Sequence, residues 1–376
     1  MKYYIIAGEA SGDLHGANLM KALLNEDPKA DFRFWGGSLM EAVGGTKVKD
    51  YHDLAFMGFV EVILNLGTIL SNIKFCKRDI LSFQPDLIIF IDYPGFNLRI
   101  AEFAKKEKIP THYYISPQIW AWKENRIHQI KRDVDQMYVI LPFEKDFYEN
   151  KHQYPVHYVG HPLLDAIANR PLVDPNKFRL ENNLNEKPII SLLPGSRKQE
   201  IKKILSVMLK MIDEFPNYQF VVAGAPSQDL SFYQSIIADN RVKIIQNKTY
   251  DLLSVSYAAL VTSGTATLET ALFKIPEVVC YKGNQLSYEI GKRLVKNIKY
   301  ISLVNLILDR ECVKELIQND FNKKNLKKAL KDVLDQEKRT KMFEDYYQLE
   351  QILGGKGASQ KTAKLIVGAE VKDVRS

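Results

Sequence analysis

The sequence predicts an α/β protein built from two doubly wound parallel sheets. Apolar runs alternate with helical patterns along the whole chain, as parallel strands covered on both faces require. That alternation stops and restarts once, across a polar, proline-bearing stretch at about residues 169–185. A chain of 376 residues also exceeds what one ordinary core encloses. The expectation is two Rossmann-like domains facing a cleft, with ligands beyond the carboxyl ends of the strands.

In the first half, strands are expected at 3–7, 32–35, 86–91, 111–115, 137–141 and 156–159, with a helix at about 13–24 following the first strand. In the second half they are expected at 188–193, 219–223, 242–245, 258–262 and 278–281. Three widely spaced cysteines without a C-x-x-C pair argue for a reducing compartment, no disulfide frame and no cysteine metal site. The first apolar run is too short for a signal-peptide core, which points to the cytoplasm. A net charge of +7 suits an acidic partner or an anionic membrane face. The lysines at 323–331 fall on an amphipathic helical pattern and read as a solvated face, and no nucleic-acid module is present.

The first strand leads into Gly8-Glu9-Ala10-Ser11-Gly12-Asp13, whose small residues let a ligand approach the backbone. This is neither a dinucleotide fingerprint nor a nucleophile elbow. Residues 56–78 follow, including Phe59, Val60, Ile63, Leu64, Ile69 and Leu70, and end on Lys74, Lys77 and Arg78. The uncharged part, Val62 to Ile73, is far shorter than the ~20 residues that span a bilayer. A core helix and an interfacial patch on anionic lipid remain open for it. Asp92 stands at the carboxyl end of strand 86–91, before Pro94, as the candidate general base. Trp120 and Trp122, just beyond the next strand, are candidates to line a sugar or acyl pocket. Asp133-Val134-Asp135 has the form of a metal-binding D-x-D but lacks further ligands, so no metal is expected.

The second half carries two anion-binding turns. Gly195 and Ser196 offer N–H groups and Arg197 a planar fork suited to a diphosphate. Ser263, Gly264 and Thr265 open a helix where its dipole is positive, and Glu269, one turn on, suits the vicinal hydroxyls of a ribose.

These residues, in this order, resemble the lipid-A-disaccharide synthase family. The resemblance runs through Gly8–Asp13, Met57–Val62, Ser116-Pro117 with Trp120-Ala121-Trp122, Leu141–Lys145, Gly160-His161, Leu193–Arg197, Ser263–Glu269, and Tyr300–Leu303 with Asn305-Leu306. It implies a two-domain B-type glycosyltransferase fold: an acceptor and lipid domain at 1–170, a UDP-sugar domain at 171–347, and last helices at 348–376 crossing back to the first domain. It implies an inverting transfer of 2,3-diacylglucosamine from its UDP derivative to 2,3-diacylglucosamine 1-phosphate, giving the β(1→6) disaccharide and UDP. No cofactor is implied. The protein would work at the inner face of the inner membrane, and a homodimer is compatible with it. Asp92 would be the base, Arg197 and the turn at Ser263–Thr265 would stabilise the diphosphate, Glu269 would hold the ribose and Asn305 would contact nucleotide or diphosphate. Ser11, the tryptophans and the apolar residues at 59–70 would meet acceptor, acyl chains or membrane. The family's usual second acid, three residues after the base, is here Gly95. Glu9 and Asp13 are the candidates to replace it. A nucleotide-sugar epimerase of the same fold, or a non-catalytic nucleotide-sugar or lipid-binding module, are the alternatives. The first would act on water-soluble UDP-N-acetylglucosamine, and the second would tolerate loss of Asp92.

Overall fold

The computed structural model describes residues 1–54, 66–283 and 299–373. The chain divides into two compact units, Met1–Ala168 with Leu353–Ser376, and Asn169–Ile352.

Unit 1 is built on a seven-stranded sheet of β1 (Lys2–Ala7), β2 (Asp31–Gly36), β3 (Thr46–Asp50), β4 (Leu87–Ile91), β5 (Thr111–Tyr114), β6 (Gln136–Val139) and β7 (His157–Tyr158). Its order is β3, β2, β1, β4, β5, β6, β7, and every neighbouring pair is parallel. The chain begins in the middle of the sheet, winds outward to β3, and returns to place β4 on the other side of β1. That reversal leaves a crevice beyond the ends of β1 and β4. Tyr3 to Ala7 and Leu87 to Ile91 are wholly buried, because helices cover both faces of a parallel sheet. Trp35 Nε1 donates to the Tyr4 hydroxyl (2.8 Å), which donates to Asp79 (2.8 Å), so the polar edges of these buried rings are paired. The final helix, Ala358–Asp373, belongs to this unit. Asp165 accepts the N–H groups of Gly357 and Ser359 at 2.6 and 2.9 Å, and Glu370 bonds His112 Nε2 at 2.9 Å.

Unit 2 has a six-stranded parallel sheet of β8 (Ile189–Leu193), β9 (Gln219–Gly224), β10 (Lys243–Gln246), β11 (Ala258–Thr262), β12 (Glu277–Tyr281) and β13 (Lys314–Ile317). The order β10, β9, β8, β11, β12, β13 repeats the same reversal, here between β8 and β11. Arg339, on helix Gln336–Ile352, lies 3.7 Å from the centre of the Tyr257 ring and donates to its carbonyl at 2.9 Å, which fixes that helix to the sheet.

The doubly wound class and the central strands are those expected from the sequence. Two edge strands were not anticipated. β3 (Thr-Lys-Val-Lys-Asp) and β13 (Lys-Glu-Leu-Ile) carry charges because one side of an edge strand meets water. Neither therefore shows a continuous apolar run.

Candidate active site

Each reversal point brings together two strand-to-helix turns. In unit 1, Ala7 pairs with Ile91, so Glu9 and Asp92 emerge side by side. The chain leaves β4 through Asp92 and Tyr93, both left-handed (φ 44° and 50°), before helix Pro94–Lys106 opens with proline at its first position. Two successive non-glycine residues in that region cost about 1–2 kcal/mol each, so the surroundings must hold them. The Asp92 N–H donates to the Tyr114 carbonyl (3.2 Å). The Asp92 carbonyl accepts from the Tyr113 hydroxyl (2.6 Å) and from Asn97 Nδ2 (2.7 Å), both wholly buried. The Tyr93 ring covers Gly8, where a Cβ would stand 2.3 Å from its Cγ. Glycine is required there for the two turns to approach.

The Asp92 carboxyl is pushed up to about 7, first by burial and then by the charge of Glu9, with the Tyr93 N–H opposing. A carboxyl that exchanges its proton near neutrality is suited to general-base work.

Beside this pair, the loop after β5 is pinned by a second buried acid. Glu144 accepts from the Ser116 hydroxyl (2.7 Å) and from the N–H groups of Ile140 (3.1 Å) and Leu141 (2.9 Å). Burial pushes it up to about 7 against those donors. Trp120 packs edge-on to Phe143 at 4.8 Å, while Trp122 is exposed with Lys123 Nζ 4.3 Å over its ring.

In unit 2, Val261 pairs with Leu193, so the turns after β8 and β11 are neighbours. Gly264 has φ 155°, a conformation open to glycine, and among the described residues no atom lies within 4 Å of where its Cβ would be. The N–H groups of Gly264 and Thr265 are given to no backbone carbonyl among the described residues, and they point from the positive end of helix Thr265–Leu272. Arg197 is exposed, and its charge acts on Glu200. The Tyr250 hydroxyl donates to Glu269 Oε1 at 2.8 Å, and burial raises that carboxyl.

The family model for lipid-A-disaccharide synthetase matches residues 3–367. The chain belongs to this family. A lipid-A-disaccharide synthase from Syntrophus aciditrophicus is 39% identical over 367 residues, covering 96% of this chain and 95% of the relative. Among solved structures, the S. aureus MnaA–UDP co-structure superposes with a TM-score of 0.69 at 15% identity, covering 100% of this chain and 97% of that one. A UDP-GlcNAc 2-epimerase from Neisseria meningitidis bound to UDP-GlcNAc gives 0.66 at 14%, covering 99% and 100%. These last two likenesses show the fold, which is the B-type glycosyltransferase arrangement. The activity is that of the family: a glycosyltransferase that makes the lipid A disaccharide.

Several expected site residues have other duties. Asp13 is buried, with its carboxylate spent on the N–H groups of Gly37 (2.7 Å), Leu39 (3.1 Å) and Met40 (3.1 Å) at the start of helix Ser38–Val43. It is not available to act on Asp92, whereas the charge of Glu9 reaches that carboxyl. Asn305 is wholly buried. Its amide donates to Val313 O and Glu315 and accepts from the N–H groups of Cys312 and Val313, which leaves nothing for a nucleotide. Ser263 donates its N–H to Cys280 and its hydroxyl to Ile301. The Glu200 carboxylate closes over Gly195, 2.4 Å from where a Cβ would sit, and faces the N–H groups of Ser196 and Arg197. Those two donors therefore point at an internal acid. Ser11 is exposed beside Glu9. Ile69 packs on the unit 1 core, whereas Leu70 is 54% exposed. Phe59, Val60, Ile63 and Leu64 lie outside the described residues.

The aspartates of the D-x-D stretch are also occupied. Asp133 is bonded by Arg132, and Asp135 accepts from Thr111 and Lys105. Sequence reasoning passed over Tyr113, Asn97, Glu144, Glu200 and Tyr250. Glu200 had a readable signal, since an acid three residues after Arg197 has the spacing of a reciprocal helix cap.

Proposed function

We propose that the protein transfers 2,3-diacylglucosamine from its UDP derivative to the 6-hydroxyl of 2,3-diacylglucosamine 1-phosphate, with inversion, at the inner face of the inner membrane. The observation that carries this reading is the Asp92 carboxyl, half-buried at the end of β4 beside Glu9 and pushed up to about 7 by burial and by the Glu9 charge. In its ionised form Asp92 takes the proton of the acceptor hydroxyl as that oxygen attacks C1. The C1–O6 bond forms, the bond from C1 to the diphosphate oxygen breaks, and UDP leaves with the electron pair. Unit 2 supports the donor half: the open N–H groups at Gly264 and Thr265 and the Arg197 guanidinium suit the charge that grows on the diphosphate. Glu269, braced by Tyr250, suits the ribose hydroxyls.

The membrane reading is supported by helix Leu66–Phe83, where Leu70 and Phe75 are exposed alongside Lys74 and Arg78. Among the described residues no helix is long and apolar enough to cross a membrane.

The test is turnover of wild type and Asp92→Asn with both lipid substrates in detergent, following UDP and disaccharide. Wild type is expected to release both in equal amounts, and the variant to lose about 10²-fold or more. Failure of wild type to form disaccharide would overturn the substrate assignment. An undiminished variant would move the base elsewhere.

A further inference from the structure

At the Asp92 turn the N–H and the carbonyl of Asp92 are committed to internal bonds, and its carboxyl, which accepts the Tyr93 N–H, is the titratable group there. The carbonyl of Asp92 receives two buried side-chain donors, the Tyr113 hydroxyl at 2.6 Å and Asn97 Nδ2 at 2.7 Å. They come from different elements, β5 and helix Pro94–Lys106. A turn of two consecutive left-handed residues does not need both for its own closure, because the carbonyl of Tyr93 already accepts the N–H groups of Phe96 and Asn97. The Tyr114 carbonyl holds the Asp92 N–H and the two donors hold its carbonyl, so the peptide planes on both sides of its Cα are fixed, and with them the direction of the Cα–Cβ bond that carries the carboxyl. The Asn97 amide also reaches the carbonyls of Ile91 (3.4 Å) and Ile6 (3.5 Å), which ties the ends of β4 and β1 to the same point. Its own oxygen, buried, has no hydrogen-bond partner among the described residues, so donation is what the side chain contributes.

We propose that Tyr113 and Asn97 are positioning residues for the glycosyl transfer, fixing the direction in which the Asp92 carboxylate leaves its turn. This rests on the reading of Asp92 as the base. Neither side chain touches substrate in this role. Losing either donor leaves the fold and the donor-sugar site intact but spreads the carboxylate over orientations that do not reach the acceptor hydroxyl.

The experiment is a double-mutant cycle on the whole protein: wild type, Tyr113→Phe, Asp92→Asn and the double variant, with kcat and both KM values measured under single-turnover sensitivity. Tyr113→Phe is expected to lower kcat about tenfold, the scale of one hydrogen bond to a reacting element, with both KM values within about twofold. In the Asp92→Asn background the same substitution is expected to change kcat less than about twofold, because there is no base left to aim. Asn97→Leu, near in volume, is expected to repeat the pattern, and a thermal melt checks that each variant is folded. An unchanged kcat in both folded variants, or the same loss with and without Asp92, would overturn the inference while leaving the base assignment standing. Full turnover by Asp92→Asn alone would instead overturn the base assignment, and this inference with it.

Discussion

At the end of β4 the chain turns through two non-glycine residues, Asp92 and Tyr93, whereas at the end of β11 it turns through Gly264. In the first turn the Asp92 backbone N–H and carbonyl are bonded internally and a carboxyl is left over. In the second, backbone N–H groups are left over, and the side chain before them, Ser263, is tied down by Ile301. In the proposed reading the same supersecondary unit yields two kinds of site. A reacting group needs one titratable side chain in a fixed direction, which calls for a residue with a side chain and a clamp on its backbone. A diphosphate needs several donors converging on it, which calls for bare backbone and hence glycine.

The largest expected effect tests whether Asn305 belongs to the binding turn or to the frame. Asn305→Ala strands the N–H groups of Cys312 and Val313 and takes a buried donor away from Glu315, so unfolding should cost about 3 kcal/mol less than in wild type. Calorimetry on the folded fraction should still find the wild-type affinity for UDP. A tenfold loss of UDP affinity with unchanged stability would return Asn305 to the binding site.

A smaller effect sharpens the reacting turn. The Glu9 charge is the second cause of the raised Asp92 pKa, after burial. Since the base must be ionised, kcat in wild type should rise with pH through about 7. Glu9→Gln removes one of the two upward pushes, so the midpoint of that limb should move to lower pH by less than the full displacement. A pH–rate profile reads this directly. A midpoint that stays put would mean that burial alone tunes Asp92.

Much of this was legible in the sequence, because periodicity and turn composition report local physics. The central strands, the restart of the pattern near 169, Asp92 at a strand end and the small-residue turns at 195 and 264 all follow from such signals. What was not legible depends on distant partners. Asp13 and Glu9 are both carboxylates, four residues apart, yet helix Ser38–Val43 takes one and Asp92 feels the other. Asn305 reads as an open polar residue until β13 closes over it. Tyr113 looks like any strand aromatic, and only the pairing of β4 with β5 carries its hydroxyl to the Asp92 carbonyl.

The most direct test of the division between the two turns is to measure kcat and the UDP dissociation constant on Asp92→Asn and Gly264→Val together. The account predicts a crossed result. Asp92→Asn should lose about 10²-fold or more in kcat with UDP binding within about twofold. Gly264→Val forces a branched side chain onto a glycine conformation beside the open N–H groups, so UDP binding should weaken by about 2 kcal/mol, or ~30-fold. Its turnover at saturating donor should be largely kept. If Asp92→Asn weakens UDP binding as much as turnover, or Gly264→Val leaves UDP binding untouched, the division is wrong.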